Sequence, residues 1–293
     1  MTNNNENNEL RKTVINWYPG HMAKTKRLIS ENLKLIDVIY EIVDARIPKS
    51  SKIKDIDSLI ANKPRILIMS KKDLCDLNET NKWVSYYESK GYKVILANLN
   101  DKNEIKRIID ATNELAKDIL AKREAKGIIK KEIRALVVGI PNVGKSTLIN
   151  SMAGKVVAKA ANMPGVTKNL VWLNTKSNIL LLDTPGILWP KFDNEEIALN
   201  LSSFTAIKSE VIPVDDVAIH ILRKLNSYYP NILKDLYNID SIDFDDIITT
   251  YEVLGKKLNC YVRGGDVDYD RINNIIYNDI KNEKIKNITF DRL

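Results

Sequence analysis

Cysteine is scarce. There are two in 293 residues, Cys75 and Cys260, far apart and without metal-like spacing. That argues against a disulfide framework and fits two free thiols in a reducing compartment. Long apolar runs are also missing: none approaches the roughly 20 residues a membrane helix needs, so no membrane role is expected. Met1 to Asn8 is polar and Asn-rich, with neither an apolar signal core nor an Arg-rich transit pattern; it reads as a disordered lead-in. Histidine occurs twice, at His21 and His220.

What is there is a core and a positive charge. Hydrophobic residues make up 44% of the chain, enough for one large domain or two of ordinary size. The net charge of +7 permits an anionic partner such as RNA without proving one.

The most informative stretch is Gly139-Ile140-Pro141-Asn142-Val143-Gly144-Lys145-Ser146, which fits the phosphate-loop pattern G-x-x-x-x-G-K-[ST]. Ala135-Leu136-Val137-Val138 before it reads as a buried strand, and Thr147 to Met152 after it as a helix start. Such a loop turns backbone N–H groups of Val143, Gly144, Lys145, Ser146 and Thr147 toward phosphates at the positive end of a helix. Lys145 reaches the outer phosphates as a catalytic cation, and the Ser146 hydroxyl ligates Mg2+. The alternative is a chance match in a glycine turn, which the flanking strand and helix disfavour.

Strands and helices alternate on both sides of this loop. Val38–Asp44, Arg65–Met69 and Lys93–Leu96 read as strands upstream; a helix through Trp83, Val84 and Tyr87 ends at Gly91, and a long one runs from about Glu104 to Lys126. Downstream, Leu170–Leu173 and Ile179–Leu182 read as strands. The expected class is α/β, a doubly wound, mostly parallel P-loop NTPase sheet. Beyond Trp189-Pro190 only helical segments remain, at about 195–209, 214–228, 245–257 and 269–282. The expected division is residues 1–192 for the nucleotide domain and 193–293 for an all-helical one that contacts RNA.

Asp183-Thr184-Pro185-Gly186 ends the last strand. A carboxylate there holds magnesium through water, and the Gly186 N–H faces a γ-phosphate. Thr167, between the two motifs, is the candidate switch hydroxyl that completes the magnesium shell. Guanine needs a carboxylate facing its N1 and N2 donors, and Ser70-Lys71-Lys72-Asp73 lies at a strand end where N-K-x-D belongs. Two charge-assisted hydrogen bonds of about 1.5–3 kcal/mol each favour guanine over adenine. Lys71 lies along the base plane. Ser70, replacing Asn, is expected to weaken the tie between this loop and the phosphate loop.

The guanine motif precedes the phosphate loop, the reverse of the usual order. In this the chain resembles the circularly permuted GTPases and, within them, the YlqF family of ribosome biogenesis GTPase A proteins. Trp17-Tyr18-Pro19-Gly20-His21-Met22, Asp44-Ala45-Arg46-Ile47-Pro48, Gly139–Ser146, Pro164-Gly165-Val166-Thr167 and Asp183–Gly186 carry the resemblance. It implies GTP-dependent assembly of the large (50S) ribosomal subunit in the bacterial cytoplasm, with hydrolysis to GDP stimulated by the particle and ribosomal RNA as a partner. A monomer is expected. It also makes Ala97-Asn98 the counterpart of a backbone contact to guanine.

Glutamine commonly positions the attacking water soon after D-x-x-G, but here Ile187 follows. The resemblance points instead to His21, whose imidazole suits that role; the alternative is that His21 only packs or caps the Pro19-Gly20 turn. His220, between Ile219 and Ile221, reads as structural. Similarity to potassium-activated GTPases assigns Asn142 to a K+ ion. Lys24, Lys26, Arg27, Lys256, Lys257 and Arg263 are candidates for RNA phosphates, or simply solvated faces. A second functional reading stays open: a nucleotide-gated RNA-binding scaffold in which hydrolysis is incidental. An ATP-using enzyme is disfavoured by Asp73.

Overall fold

The computed structural model describes residues 20–54, 56–60, 62–128, 131–158, 171–186, 194–207 and 211–293, with backbone alone at 20–25. Helix α1 (Gly20–Asn32) leads through a short 3-10 turn into β1 (Val38–Asp44), a strand buried along its whole length. Then follow α2 (Ile56–Ile60), β2 (Arg65–Ser70), α3 (Leu77–Ser89), β3 (Lys93–Leu96) and α4 (Lys102–Glu124). The phosphate-loop strand is β4 (Ile133–Gly139), followed by α5 (Lys145–Ala153), β5 (Val171–Asn174) and β6 (Ile179–Asp183).

These six strands form one sheet in the order β3-β2-β1-β4-β6-β5. All neighbours are parallel except the β5–β6 pair. Continuous Val/Ile/Leu runs explain the parallel part, because strands covered by helices on both faces have no solvent side to make polar. Beyond α4 the chain returns to pair β4 with β1, and its later strands build the opposite half. Both halves therefore leave their carboxyl ends on one edge, where open α/β sheets hold ligands.

Among the described residues five helices follow: α6 (Glu195–Ser203), α7 (Val214–Tyr228), α8 (Pro230–Tyr237), α9 (Ile247–Leu258) and α10 (Tyr269–Lys281). Helix α8 is absent from the sequence expectation, which placed no helix between about 228 and 245. Proline is well placed in a first turn, where its missing N–H has no partner to lose, and Asn238 closes α8 in the left-handed region at φ 58°. Helix α4 begins two residues earlier than expected because Asp101 caps it by accepting the Asn103 N–H at 2.8 Å.

The apolar core runs without a break from the sheet into the helical end, through Ile207, Ile212, Leu222 and Phe290. The last residues cross back over the sheet edge. Phe290 N–H donates to the Arg46 carbonyl at 2.7 Å and Ile288 N–H to the Leu74 carbonyl at 3.3 Å. The expected division at 192/193 falls at residues outside the described ones.

Candidate active site

Register aligns the strand ends. Asp44 pairs with Ser70, Met69 with Leu96, Ile42 with Gly139, and Val137 with Asp183. The guanine motif, the phosphate loop and the D-T-P-G turn therefore emerge at one sheet edge from β2, β4 and β6, with β1 lying between β2 and β4.

Gly139 lies where a Cβ would sit 2.7 Å from the Ile42 carbonyl oxygen. Only glycine lets β4 turn there against β1. Gly144 adopts φ 101°, closed to other residues, and serves as an N-cap without a side chain. The first N–H groups of α5 are thus free to meet an anion. Lys145 is buried and folds back over its own loop, donating to the Gly139 and Ile140 carbonyls at 3.0 and 2.7 Å. Burial lowers its pKa to about 8, with the nearby Asp183 charge opposing that shift. An ammonium held by two neutral carbonyls, at about 1.5–3 kcal/mol each, gains more from charged phosphate oxygens, where both donor and acceptor are ionised.

The turn after β6 is pressed against this loop. Thr184 Oγ1 donates to the Val137 carbonyl at 2.7 Å. A Cβ on Gly186 would come within 2.9 Å of the Pro141 nitrogen, so no side chain fits between the two loops. Ser146, half-exposed on the first turn of α5, and the buried Asp183 are hard oxygen donors, the type that suits magnesium. Among the described residues no group of three or more His, Cys, Asp or Glu could hold a metal by itself.

Across the edge, the Ser70 hydroxyl lies 2.6 Å from the Val143 carbonyl and 3.0 Å from that of Val43. With one proton it serves the nearer acceptor, so a tie between guanine loop and phosphate loop persists. An asparagine amide would bring two protons to the same place; the serine tie is correspondingly leaner. Lys71 adopts φ 60° and its ammonium sits 2.9 Å from Asp44 Oδ2. Asp73 is exposed and has no protein partner among the described residues, leaving both carboxylate oxygens available. Ala97 joins this group: its N–H donates to the Met69 carbonyl at 2.9 Å, and its carbonyl accepts the Lys72 N–H at 3.3 Å. Asn98 closes the adjoining turn by accepting the Asn100 N–H through Oδ1 at 3.0 Å. Ser151 of α5 donates to the Leu99 carbonyl at 2.7 Å, which seats the β3 turn on the phosphate-loop helix.

A model described as 50S ribosome-binding GTPase matches residues 134–249. The chain is 44% identical over 279 residues to ribosome biogenesis GTPase A of Priestia megaterium, covering 95% of this chain and 96% of the relative. With that of Bacillus cereus it shares 43% identity over 278 residues, covering 95% and 94%. The chain belongs to the ribosome biogenesis GTPase A family. Among solved structures, GNP-bound YlqF from T. maritima has a TM-score of 0.61 at 23% identity, over 92% of this chain and 98% of that one, which shows the shared fold.

For a GTPase A chain, the order of parts along the sequence is notable. The 50S ribosome-binding GTPase match begins in β4 and leaves β1–β3 outside it. The loop carrying Asp73 lies in that upstream part. Thr167 and Ile187 are outside the described residues, as is the side chain of His21, whose backbone belongs to α1. Sequence reasoning gave no role to Asp44 and Arg46 beyond carrying a motif, and none to Phe204 and Thr205. The D-A-R-I-P run was the visible signal for the first pair; no local pattern marks the second.

Proposed function

We propose that this chain binds GTP along the carboxyl edge of its sheet and hydrolyses it to GDP and phosphate while engaged with the large ribosomal subunit. Family membership makes it a GTPase of ribosome assembly. The supporting observation is the convergence of Ser70–Asp73, Gly139–Ser146 and Asp183–Gly186 on one edge, held by the Ser70–Val143 and Gly186–Pro141 contacts.

In this reading Asp73 takes the guanine N1 and N2 donors, Lys71 flanks the base, and Ala97-Asn98 supplies a backbone contact. The N–H groups of Val143 to Thr147 cradle the phosphates. Ser146, Asp183 and Thr167 would hold magnesium, which supplies charge neutralisation at the β- and γ-phosphates when bound. Lys145 moves from the Gly139 and Ile140 carbonyls to the phosphate oxygens, and the Gly186 N–H faces the γ-phosphate.

The chain contains no glutamine, so the water-orienting amide common elsewhere cannot come from it. His21 takes that role when α1 approaches the phosphates, which makes turnover slow alone and faster on the particle. Asn142 holds K+ through Oδ1, an acceptor without a protein partner among the described residues. The protein works as a monomer in the cytoplasm; no helix among the described residues is long and apolar enough to cross a membrane.

Lys256, Lys257 and Arg263 meet RNA phosphates, beside the exposed Tyr261, Val262 and Tyr269. Co-sedimentation with purified large subunits tests the whole reading. Retention with a non-hydrolysable GTP analogue and release with GDP is the expected pattern; equal binding in every nucleotide state would contradict it and the nucleotide-gated scaffold alike, whereas gated binding with no particle-stimulated turnover would leave the scaffold reading standing.

A further inference from the structure

Lys71 is a lysine in a backbone region that such residues rarely occupy, at φ 60°. Left-handed backbone costs an ordinary residue roughly 1–2 kcal/mol, so something must hold it. What holds it is Asp44, at the end of the neighbouring strand and only 2% exposed. Asp44 Oδ2 accepts from the Lys71 ammonium at 2.9 Å and from Arg46 Nη2 at 2.8 Å. Its Oδ1 accepts the Arg46 N–H at 3.0 Å and Nε at 2.9 Å. Burial alone would raise this carboxyl's pKa, but the two cations hold it well below the usual carboxylate range.

Arg46 is fixed in turn by the helical end. Its guanidinium carbon lies 4.3 Å from the centre of the Phe204 ring, and that ring meets Phe290 edge-on at 5.1 Å. The Phe290 N–H returns to the Arg46 carbonyl. Asp44 therefore stands between a base-binding lysine on one side and a packed aromatic pair from the far end of the chain on the other.

We propose that Asp44, held by Arg46 against Phe204, is a positioning residue for base recognition: it preorganises Lys71, and so makes tight guanine-nucleotide binding depend on the docked helical end. The proposal rests on Lys71 and Asp73 forming the guanine loop, the reading given above. A bidentate arginine leaves the carboxylate no freedom to rotate, and the lysine stem then lies in one place before the nucleotide arrives. Less order remains to be imposed on binding, and the complex dissociates more slowly.

The test is stopped-flow dissociation of a fluorescent GDP from the full chain, with GTP turnover measured alongside. Lys71→Met keeps the apolar stem and leaves Asp44 paired with Arg46, so it should fold; a rise of about tenfold in the off-rate is expected. Asp44→Asn should match it, raising KM while kcat at saturation holds. The double variant should add less than about twofold to Lys71→Met, since one acts through the other. Phe204→Leu should raise the off-rate by about threefold alone and add nothing to Lys71→Met; it carries the same test if Asp44→Asn does not fold.

Multiplicative effects in the double variants, or an unchanged off-rate in Lys71→Met, would overturn the proposal. Asp73→Asn reports separately on the underlying reading. If it keeps full preference for GDP over ADP, the guanine loop itself is misassigned; if that preference collapses while the Asp44 and Phe204 variants behave as wild type, only the positioning role fails.

Discussion

The side-chain amide of Asn142, in the middle of the phosphate loop, donates to the backbone carbonyl of Thr205, just past α6, at 2.6 Å. Both residues adopt left-handed backbone, at φ 62° and 61°. The loop that receives phosphate is thus hydrogen-bonded directly to the helical end. Replacing Asn142 by Ala should cost about 1 kcal/mol, or a melting temperature lower by a few degrees. The same substitution should abolish any excess of turnover in potassium over sodium. Equal wild-type rates in the two salts would remove Asn142 from the ion site while leaving the structural contact intact.

Lys145 predicts a pH dependence of nucleotide binding. Its pKa in the ligand-free loop is about 8. Phosphate oxygens raise it again, so binding above pH 8 takes up a proton, whereas below that the lysine is already charged. GDP affinity should be flat up to about pH 8 and then fall by up to about tenfold per unit. Calorimetry at pH 8.5 in two buffers of different ionisation enthalpy measures this uptake; identical heats in both would contradict it.

His220 carries a stability prediction. Its Nε2 lies 2.8 Å from Asn200 Oδ1. Burial first, then the charge of Lys224, lowers its pKa to about 4, with Glu196 opposing and Arg223 adding to the fall. The unfolded chain takes up a proton near pH 6.5 that the folded chain refuses until about pH 4. Stability is therefore present above this window and lost as pH drops through it, by about 2 kcal/mol between pH 7 and 5. Urea denaturation of His220→Asn at both pH values should show that much less loss than wild type.

Asp291 closes a junction between distant parts of the chain. Its carboxylate accepts the Lys49 and Ser50 N–H groups at 2.7 Å each, the Ser50 hydroxyl at 2.6 Å and the Asn200 amide at 3.0 Å. Asp291→Ala strands these donors in a buried place and should cost about 3 kcal/mol. Asp291→Asn keeps one acceptor and should cost less. A melting temperature of Asp291→Asn equal to that of wild type would show that the carboxylate contributes nothing beyond its volume.

His21→Ala isolates the hydrolytic step. Particle-stimulated turnover should fall by about 100-fold or more, the usual contribution of a positioned acid–base group. GDP affinity should stay within about twofold. Turnover on large subunits equal to wild type would return His21 to a packing role.

Much of this protein is determined by short stretches of its sequence. The G-x-x-x-x-G-K-S loop needs glycine at Gly139 because Ile42 leaves no room, and at Gly144 because of its φ of 101°. The buried strands declare themselves by unbroken apolar runs, and the reversed order of the guanine and phosphate motifs is visible without coordinates. These are local matters, decided by sterics and solvation within a few residues.

Other features only the tertiary structure decided. Ser70 looked like a loss and proved to retain a bond to Val143. Asp44 reads as one letter of a motif until Lys71 and Arg46 are seen on its two oxygens. No pattern links Phe204 to Arg46, or Asp291 to Ser50, because a hydrogen bond or a ring contact between residues far apart in the chain leaves no periodicity behind. Such pairs exist only once the sheet edge and the helical end have packed and excluded water, and that exclusion is what makes an unpaired polar group there costly.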